Sequence, residues 1–147
     1  MTNILGDPLD KLNEWEEKGR RLRAISSDIL DVLPDGVVAI DSDGVICLVN
    51  VQLEFMFGYS SSELLGQKVE ILLPESLKER HVGHREGYFD DPKIRGMGAG
   101  LLLKGRKKKG KEFVVEIMLS PLRTEFGHFA VAVVRKPKEH FNAAESQ

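Results

Sequence analysis

His81 and His84 lie three residues apart, and Tyr88 follows His81 by seven. On a helix that spacing puts all three on one stripe, so two imidazoles and a phenol would share a face. Such a face can ligate a metal or move a proton, or its rings can simply pack and hydrogen-bond at a domain edge. A closed zinc site needs four ligands, and Cys47, on a distant strand, is a poor third; no metal site is expected. Cys47 is the single cysteine among 147 residues, which rules out an intrachain disulfide and suits a reducing compartment. Within an apolar, β-branched run it is expected to be a small core residue. Lys104, Arg106, Lys107, Lys108, Lys109 and Lys111 make a basic hairpin. They lack the interleaved aromatics of a single-strand binder, so a solvated turn is expected and nucleic acid is disfavoured as a partner.

No catalytic constellation accompanies these residues. There is no phosphate-cradling glycine loop with lysine, no G-x-S-x-G elbow, and no serine or cysteine nucleophile set beside a histidine, so the chain is not expected to be an enzyme. Its 147 residues suit one ordinary core and leave no room for a kinase or cyclase output domain. The formal net charge of −2 gives no global pull toward nucleic acid or anionic lipid. No run approaches the roughly 18 apolar residues that span a bilayer, and Met1-Thr2-Asn3-Ile4-Leu5-Gly6-Asp7 lacks a basic region followed by an apolar one. A cytoplasmic location without membrane contact is therefore expected.

The elements that must position the histidines can be read in order. Asp7-Pro8 is a helix start, and the helix should run to about Leu33, where Pro34-Asp35-Gly36 stops it. Trp15, Leu22 and Ile29 recur every seven residues, with Ile25 and Val32 three positions after the last two, which is the spacing of an a/d seam. Lys18 and Gly19 interrupt it. The stripe can pack on its own domain or form a homodimer, and Trp15, Leu22, Ile25 and Ile29 are the expected dimer contacts. Gly36 to Asn50 reads as a hairpin around Asp43-Gly44, with Asn50 capping a helix from about Val51 to Phe57 that Gly58 ends. Short helical turns follow around Ser62 to Leu65 and Val69 to Leu73, then a helix opened by Pro74 and carrying His81 to about Tyr88. After the glycine-rich Gly96 to Gly100, strands are expected at about Leu101 to Arg106, Glu112 to Leu122 and His128 to Arg135. Within the second, Phe113, Val115, Ile117 and Leu119 alternate onto one face. The organisation expected is an N-terminal amphipathic helix over residues 1–33, an α+β domain over 34–136 and a flexible tail over 137–147.

Several of these segments, in register, resemble the PAS family of sensory domains. They are Leu33-Pro34-Asp35-Gly36 with the Ile40-Asp41-Ser42-Asp43-Gly44 turn, Asn50 closing the second strand, Phe57-Gly58-Tyr59-Ser60 leading to Glu63-Leu64-Leu65-Gly66, Leu72-Leu73-Pro74 opening a helix, and Gly105 to Ile117. The resemblance covers about two thirds of the chain. It implies a five-stranded antiparallel sheet with short helices on one face, and a ligand pocket between them lined by Val115, Ile117, Leu119, Leu101, Tyr88 and His81. It implies a sensor and interaction module of signal transduction, as in two-component systems, working through dimerisation and ligand- or partner-dependent change. Its partners would be a second copy of itself or other PAS-containing or signalling proteins.

Within that family the chain is similar to the heme-PAS oxygen sensors. Arg80-His81 followed by Tyr88 matches their pattern, and the correspondence makes His81 the axial heme ligand. The distal arginine of those sensors has no counterpart in Ala99-Gly100-Leu101-Leu102. The expectation is a pocket with no resident cofactor, heme on His81 being the alternative. Flavin photochemistry of the blue-light branch is excluded, because Gly66 to Leu72 holds no cysteine. The last strand ends Val133-Val134-Arg135-Lys136-Pro137 without the family's Asp-Ile/Val-Thr signature, which disfavours a rigid C-terminal helical lever.

Overall fold

The computed structural model describes residues 8–91 and 102–137. Leu101 and the segment 138–147 fall outside them. The chain divides into two compact units, Met1–Val32 and Leu33–Gln147. The first holds one helix, α1, Pro8–Val32. Ile25 and Ile29, 52% and 54% exposed, lie on it; the side chains of Trp15 and Leu22 are outside the described set.

The second unit begins with a hairpin, β1 (Gly36–Asp41) and β2 (Ile46–Val49), followed by helices α2 (Val51–Phe57) and α3 (Ser61–Leu64). Two 3₁₀ turns, Val69–Leu72 and Glu75–Leu77, lead into α4 (Lys78–Asp90). Strands β3 (Leu102–Arg106), β4 (Glu112–Thr124) and β5 (Gly127–Arg135) complete it. The five strands form one sheet in the order β2-β1-β5-β4-β3, antiparallel at every pairing. The helix expected to start at Pro74 instead opens with a 3₁₀ turn and becomes α-helical at Lys78.

Local chemistry accounts for the turns. Asp41 Oδ1 accepts from the amides of Asp43 and Val45, each at 2.9 Å, and Gly44 takes φ +81°, so the β1–β2 link is an Asx-stabilised turn closed by a residue without a Cβ. Gly58 ends α2 in the left-handed region at φ 78°, with its amide donating to the Glu54 carbonyl. At Ser60 a reciprocal capping box with Glu63 opens α3.

The core packs α2 and α3 on the concave sheet face, where Leu53 and Leu64 are fully buried beside Ile46, Val115 and Val134. Phe57 meets Phe113 edge-on at 5.1 Å between centroids. Gly105 makes that possible, since a Cβ there would come within 2.8 Å of the Phe57 ring.

Cys47 corrects the sequence reading. It is exposed, not core. The register of β1 against β2 shifts between Ala39 and Ile40, pairing Ile40 with Ile46, so the inward position falls to Ile46 at 1% exposure. Cys47 is left outward on an edge strand, its thiol donating to the Val45 carbonyl. The basic hairpin also does more than meet water. Lys108 pairs with Glu63, Arg106 approaches Glu75 at 3.9 Å, and Lys107 stands over the Phe113 ring at 5.3 Å.

Asn50 joins both halves of this layout. Buried at 1% exposure, it accepts at Oδ1 from the amides of Leu53, at the start of α2, and Val37, in β1, and it donates through Nδ2 to the Asp35 carbonyl. Asn50→Ala removes a helix cap and strands a buried β1 amide, so a loss of about 2–4 kcal/mol in urea unfolding is expected. A loss below about 1 kcal/mol would show that Asn50 is not the link between hairpin and helix.

Candidate functional site

The concave sheet face is built from alternate residues of three strands: Val38 and Ile40 of β1, Val115, Ile117 and Leu119 of β4, and Ala130, Ala132 and Val134 of β5. Small residues at the centre leave room. Ala130 stands opposite Pro121 and Ala132 opposite Leu119, so no long side chain from β5 fills the space beneath α4. Two adjoining cavities result. One, of about 100 Å³, reaches Phe57, Leu72 and Lys104. The other, of about 270 Å³, reaches His84, Tyr88 and Phe89. They share a wall that includes His81, Leu103, Ile117 and Leu119.

His81 is the polar group common to both. Its Nδ1 lies 2.6 Å from Glu70 Oε2. Arg85, one turn further along α4, reaches the same carboxylate through Nε at 3.2 Å to Oε2 and through Nη2 at 3.0 Å to Oε1. The i, i+4 spacing of His81 and Arg85 is what lets both face Glu70. Glu70 and Arg85 are 6% and 8% exposed. Burial pushes the Glu70 carboxyl up, but the hydrogen bonds from Arg85 and His81 outweigh it and hold the group below its ordinary range.

Backbone pairing sets Glu70 in place. Val45 and Lys68 form an isolated antiparallel bridge, and the Val69 amide donates to the Gly44 carbonyl at 2.9 Å. The 3₁₀ turn therefore leaves the β1–β2 turn with Glu70 facing α4. Arg85 lies against that same turn, because a Cβ on Gly44 would come within 2.4 Å of its guanidinium carbon. On its outer side Arg85 borders a separate polar hollow with Asp43, Lys68 and Glu86.

Of the expected pocket residues, Val115, Ile117, Leu119 and His81 line the first cavity, while Tyr88, buried on α4, lines the second. Leu101 lies outside the described residues, and the neighbouring Leu103 is the β3 side chain on the shared wall. His84 is exposed and borders the second cavity alone. Glu70 and Arg85 were not singled out in the sequence. An acid within Val69-Glu70-Ile71-Leu72, and an arginine four residues after a histidine, were the signals available. Among the described residues no group of His, Cys, Asp and Glu converges as a metal site, and no helix is long and apolar enough to cross a membrane.

The profile of the PAS fold family matches residues 21–136, and the chain belongs to that family. It is 32% identical over 114 residues to the sensor protein FixL of Bradyrhizobium diazoefficiens, covering 76% of this chain and 22% of FixL. It is 26% identical over 100 residues to the oxygen sensor protein DosP of Escherichia coli, covering 68% of this chain and 12% of DosP. The chain thus spans a minor part of the curated relatives it matches. Among solved structures, the PAS domain of an HTR-like protein from Haloarcula marismortui superposes with a TM-score of 0.68 at 19% identity, covering 84% of this chain and 98% of that one. A PAS domain from a two-component sensor histidine kinase gives 0.65 at 15% identity, covering 80% and 97%. The protein is a sensory module of signal transduction.

Ile117 and Leu53 provide a matched test of the cavity, since each loses the same amount of hydrocarbon on replacement by alanine. Leu53 is fully buried in packed core, and Leu53→Ala should cost about 2–5 kcal/mol. Ile117 already faces empty space in both lobes, so Ile117→Ala should cost at least ~1 kcal/mol less, read from denaturant midpoints. Equal losses would mean that the lobes are closed in solution.

Proposed function

We propose that this module senses an apolar or aromatic small molecule held between α4 and the concave sheet face, and passes its occupancy to an output through a homodimer. The observation that supports this best is the two-lobed apolar cavity whose shared wall carries one imidazole, His81. Pockets of this kind take their affinity from apolar contact and their orientation from a few placed polar groups. The module binds and relays and does not itself catalyse. It acts in the cytoplasm, with a second copy of itself or another PAS-containing or signalling protein as partner. The dimer contacts are Trp15, Leu22, Ile25 and Ile29 of α1. Ile25 and Ile29 are exposed on it, as such a role requires. Deleting residues 1–24 should convert a dimer into a folded monomer by analytical ultracentrifugation. A truncated protein that still sediments as a dimer would place the interface elsewhere.

A second reading is favoured by one specific feature, the carboxylate that holds His81. An imidazole oriented through Nδ1 by an acid leaves Nε2 as the ligating atom, which is the usual support of a metal-bound histidine. The residues fit heme: His81 for the iron, Ile117, Leu119 and Leu103 for the macrocycle, and Lys104 and His84 as polar groups beside the two lobes for its carboxylates. Together the lobes reach the lower end of the roughly 300–1,000 Å³ typical of ligand pockets, and neither does so alone. When bound, heme would supply an iron centre able to take a small gas. The chain's part is to hold that iron through His81 and to keep water from its faces with apolar side chains. The similarity to DosP, named an oxygen sensor, is in keeping with this. Reconstitution with hemin should give a shifted Soret band in wild type and in His84→Ala, and lose it in His81→Ala. Identical weak spectra in all three would end the heme reading and leave the organic ligand, which native mass spectrometry of the purified protein would reveal as retained mass.

A further inference from the structure

We propose that Glu70 fixes His81 in the Nδ1–H tautomer and thereby selects what the cavity accepts. The ligand meets a lone pair at Nε2, so it must bring a Lewis-acidic centre or an N–H or O–H donor to that point. A group that offers only lone pairs finds no donor at that nitrogen. The inference rests on the cavity's being the ligand site and goes beyond it by naming the chemical class of the occupant and the residue that sets it.

The donors and acceptors leave one solution. An ionised carboxylate only accepts, and a guanidinium only donates. Arg85 gives Nε–H to Glu70 Oε2 and Nη2–H to Oε1. His81 Nδ1, 2.6 Å from Oε2, must then be a donor as well. Whenever the ring carries a single proton, that proton is therefore at Nδ1. A neutral imidazole protonated at Nδ1 carries a free lone pair at Nε2. That nitrogen has no protein hydrogen bond among the described residues, and the ring borders both lobes.

Arg85 is the positioning residue for this arrangement. Its guanidinium lies where a Cβ on residue 44 would stand, a space left open by Gly44, and the backbone flanking Glu70 is set by the bridge at Lys68 and the Val69 amide. Arg85 and the backbone on either side of Glu70 thus hold the carboxylate toward His81.

Replacing Glu70 by glutamine turns this logic into a test. A glutamine has one carbonyl oxygen and one NH₂. Arg85, charged and buried, will claim the oxygen. The NH₂ then faces His81 Nδ1, which has to accept, and the ring proton is driven to Nε2. The experiment is a long-range ¹H–¹⁵N correlation spectrum of the ligand-free full chain at pH 8, above the ordinary imidazole range of about 6.5, with His81→Ala identifying the signals. Wild type should show a single Nδ1–H tautomer at His81, and Glu70→Gln a single Nε2–H tautomer. Hemin used as a Lewis-acid probe should bind Glu70→Gln about 10–100-fold more weakly than wild type.

A wild-type His81 that is Nε2–H, mixed or doubly protonated at pH 8 overturns the proposal, and that measurement needs no variant to fold. Retention of Nδ1–H in a folded Glu70→Gln also overturns it, because Glu70 would then not be the determinant. Failure of hemin to bind any form, with the tautomers as expected, removes the heme reading and leaves the selection rule intact. Conversely, tight hemin binding with the wrong tautomer would keep the heme reading and end this one.

Discussion

One carboxylate, Glu70, ties together three segments far apart in the chain. It leaves the β1–β2 turn through the Val69 amide, crosses to α4, and there receives both His81 and Arg85. Burying an acid is costly unless it is paired and hydrogen-bonded, and this one is both. That cost constrains the neighbourhood. Removing Arg85 would leave Oε1 of this buried acid unmet, so α4, a polar helix that buries only Arg85 and Tyr88, is held over the sheet by charge-assisted bonds more than by apolar packing. A helix held in this way can cover a cavity without filling it.

The same constraint explains the cavity. A sheet covered by an apolar helix would be expected to close to normal packing density. Here β5 contributes Ala130 and Ala132 under α4, while Leu53, Phe57 and Leu64 crowd the neighbouring region under α2 and α3. One end of the concave face is therefore packed core and the other is open. The basic hairpin completes the frame: the Lys108 amide donates to the Phe57 carbonyl at 2.9 Å, and Lys108 and Arg106 reach acids on the helical side. Cations that read as solvated turn residues thus pin the β3–β4 link to the helices beside the cavity.

Much of the fold was legible because its punctuation is local. Asn50, Gly58, Asp43-Gly44 and the Phe113 to Leu119 alternation act over a few residues, and each element they mark is present within one or two positions of its expected bounds. Cys47 was misread because it is itself the extra, unpaired residue of a bulge in β2, where Ala39 pairs with Leu48 and Ile40 with Ile46, and a bulge is a property of two strands. Glu70 and Arg85 were not seen because their significance is tertiary. Nothing within Val69-Glu70-Ile71-Leu72 says that the acid turns in. It does so because Lys68 is bridged to Val45 and the partner that offsets its burial comes fifteen residues later. His81 was legible as a candidate from its spacing, but its hydrogen-bonded state was not.

The sheet order sets which backbone adjoins the cavity. β5 lies at the centre, between β1 and β4. Val134 of β5 lines the first lobe and pairs in register with Gly36, the first residue of β1. Asn50 donates to the carbonyl of Asp35, the residue before Gly36. One strand pairing therefore separates the cavity wall from the start of β1. At the next residue of β5, Arg135 pairs with Glu116 at 3.0 Å, and Pro137, which has no amide hydrogen, follows two residues on. A helix continuing directly from β5 would have to accommodate that proline, so the backbone that adjoins the cavity wall through strand pairing is that of β1 and β4.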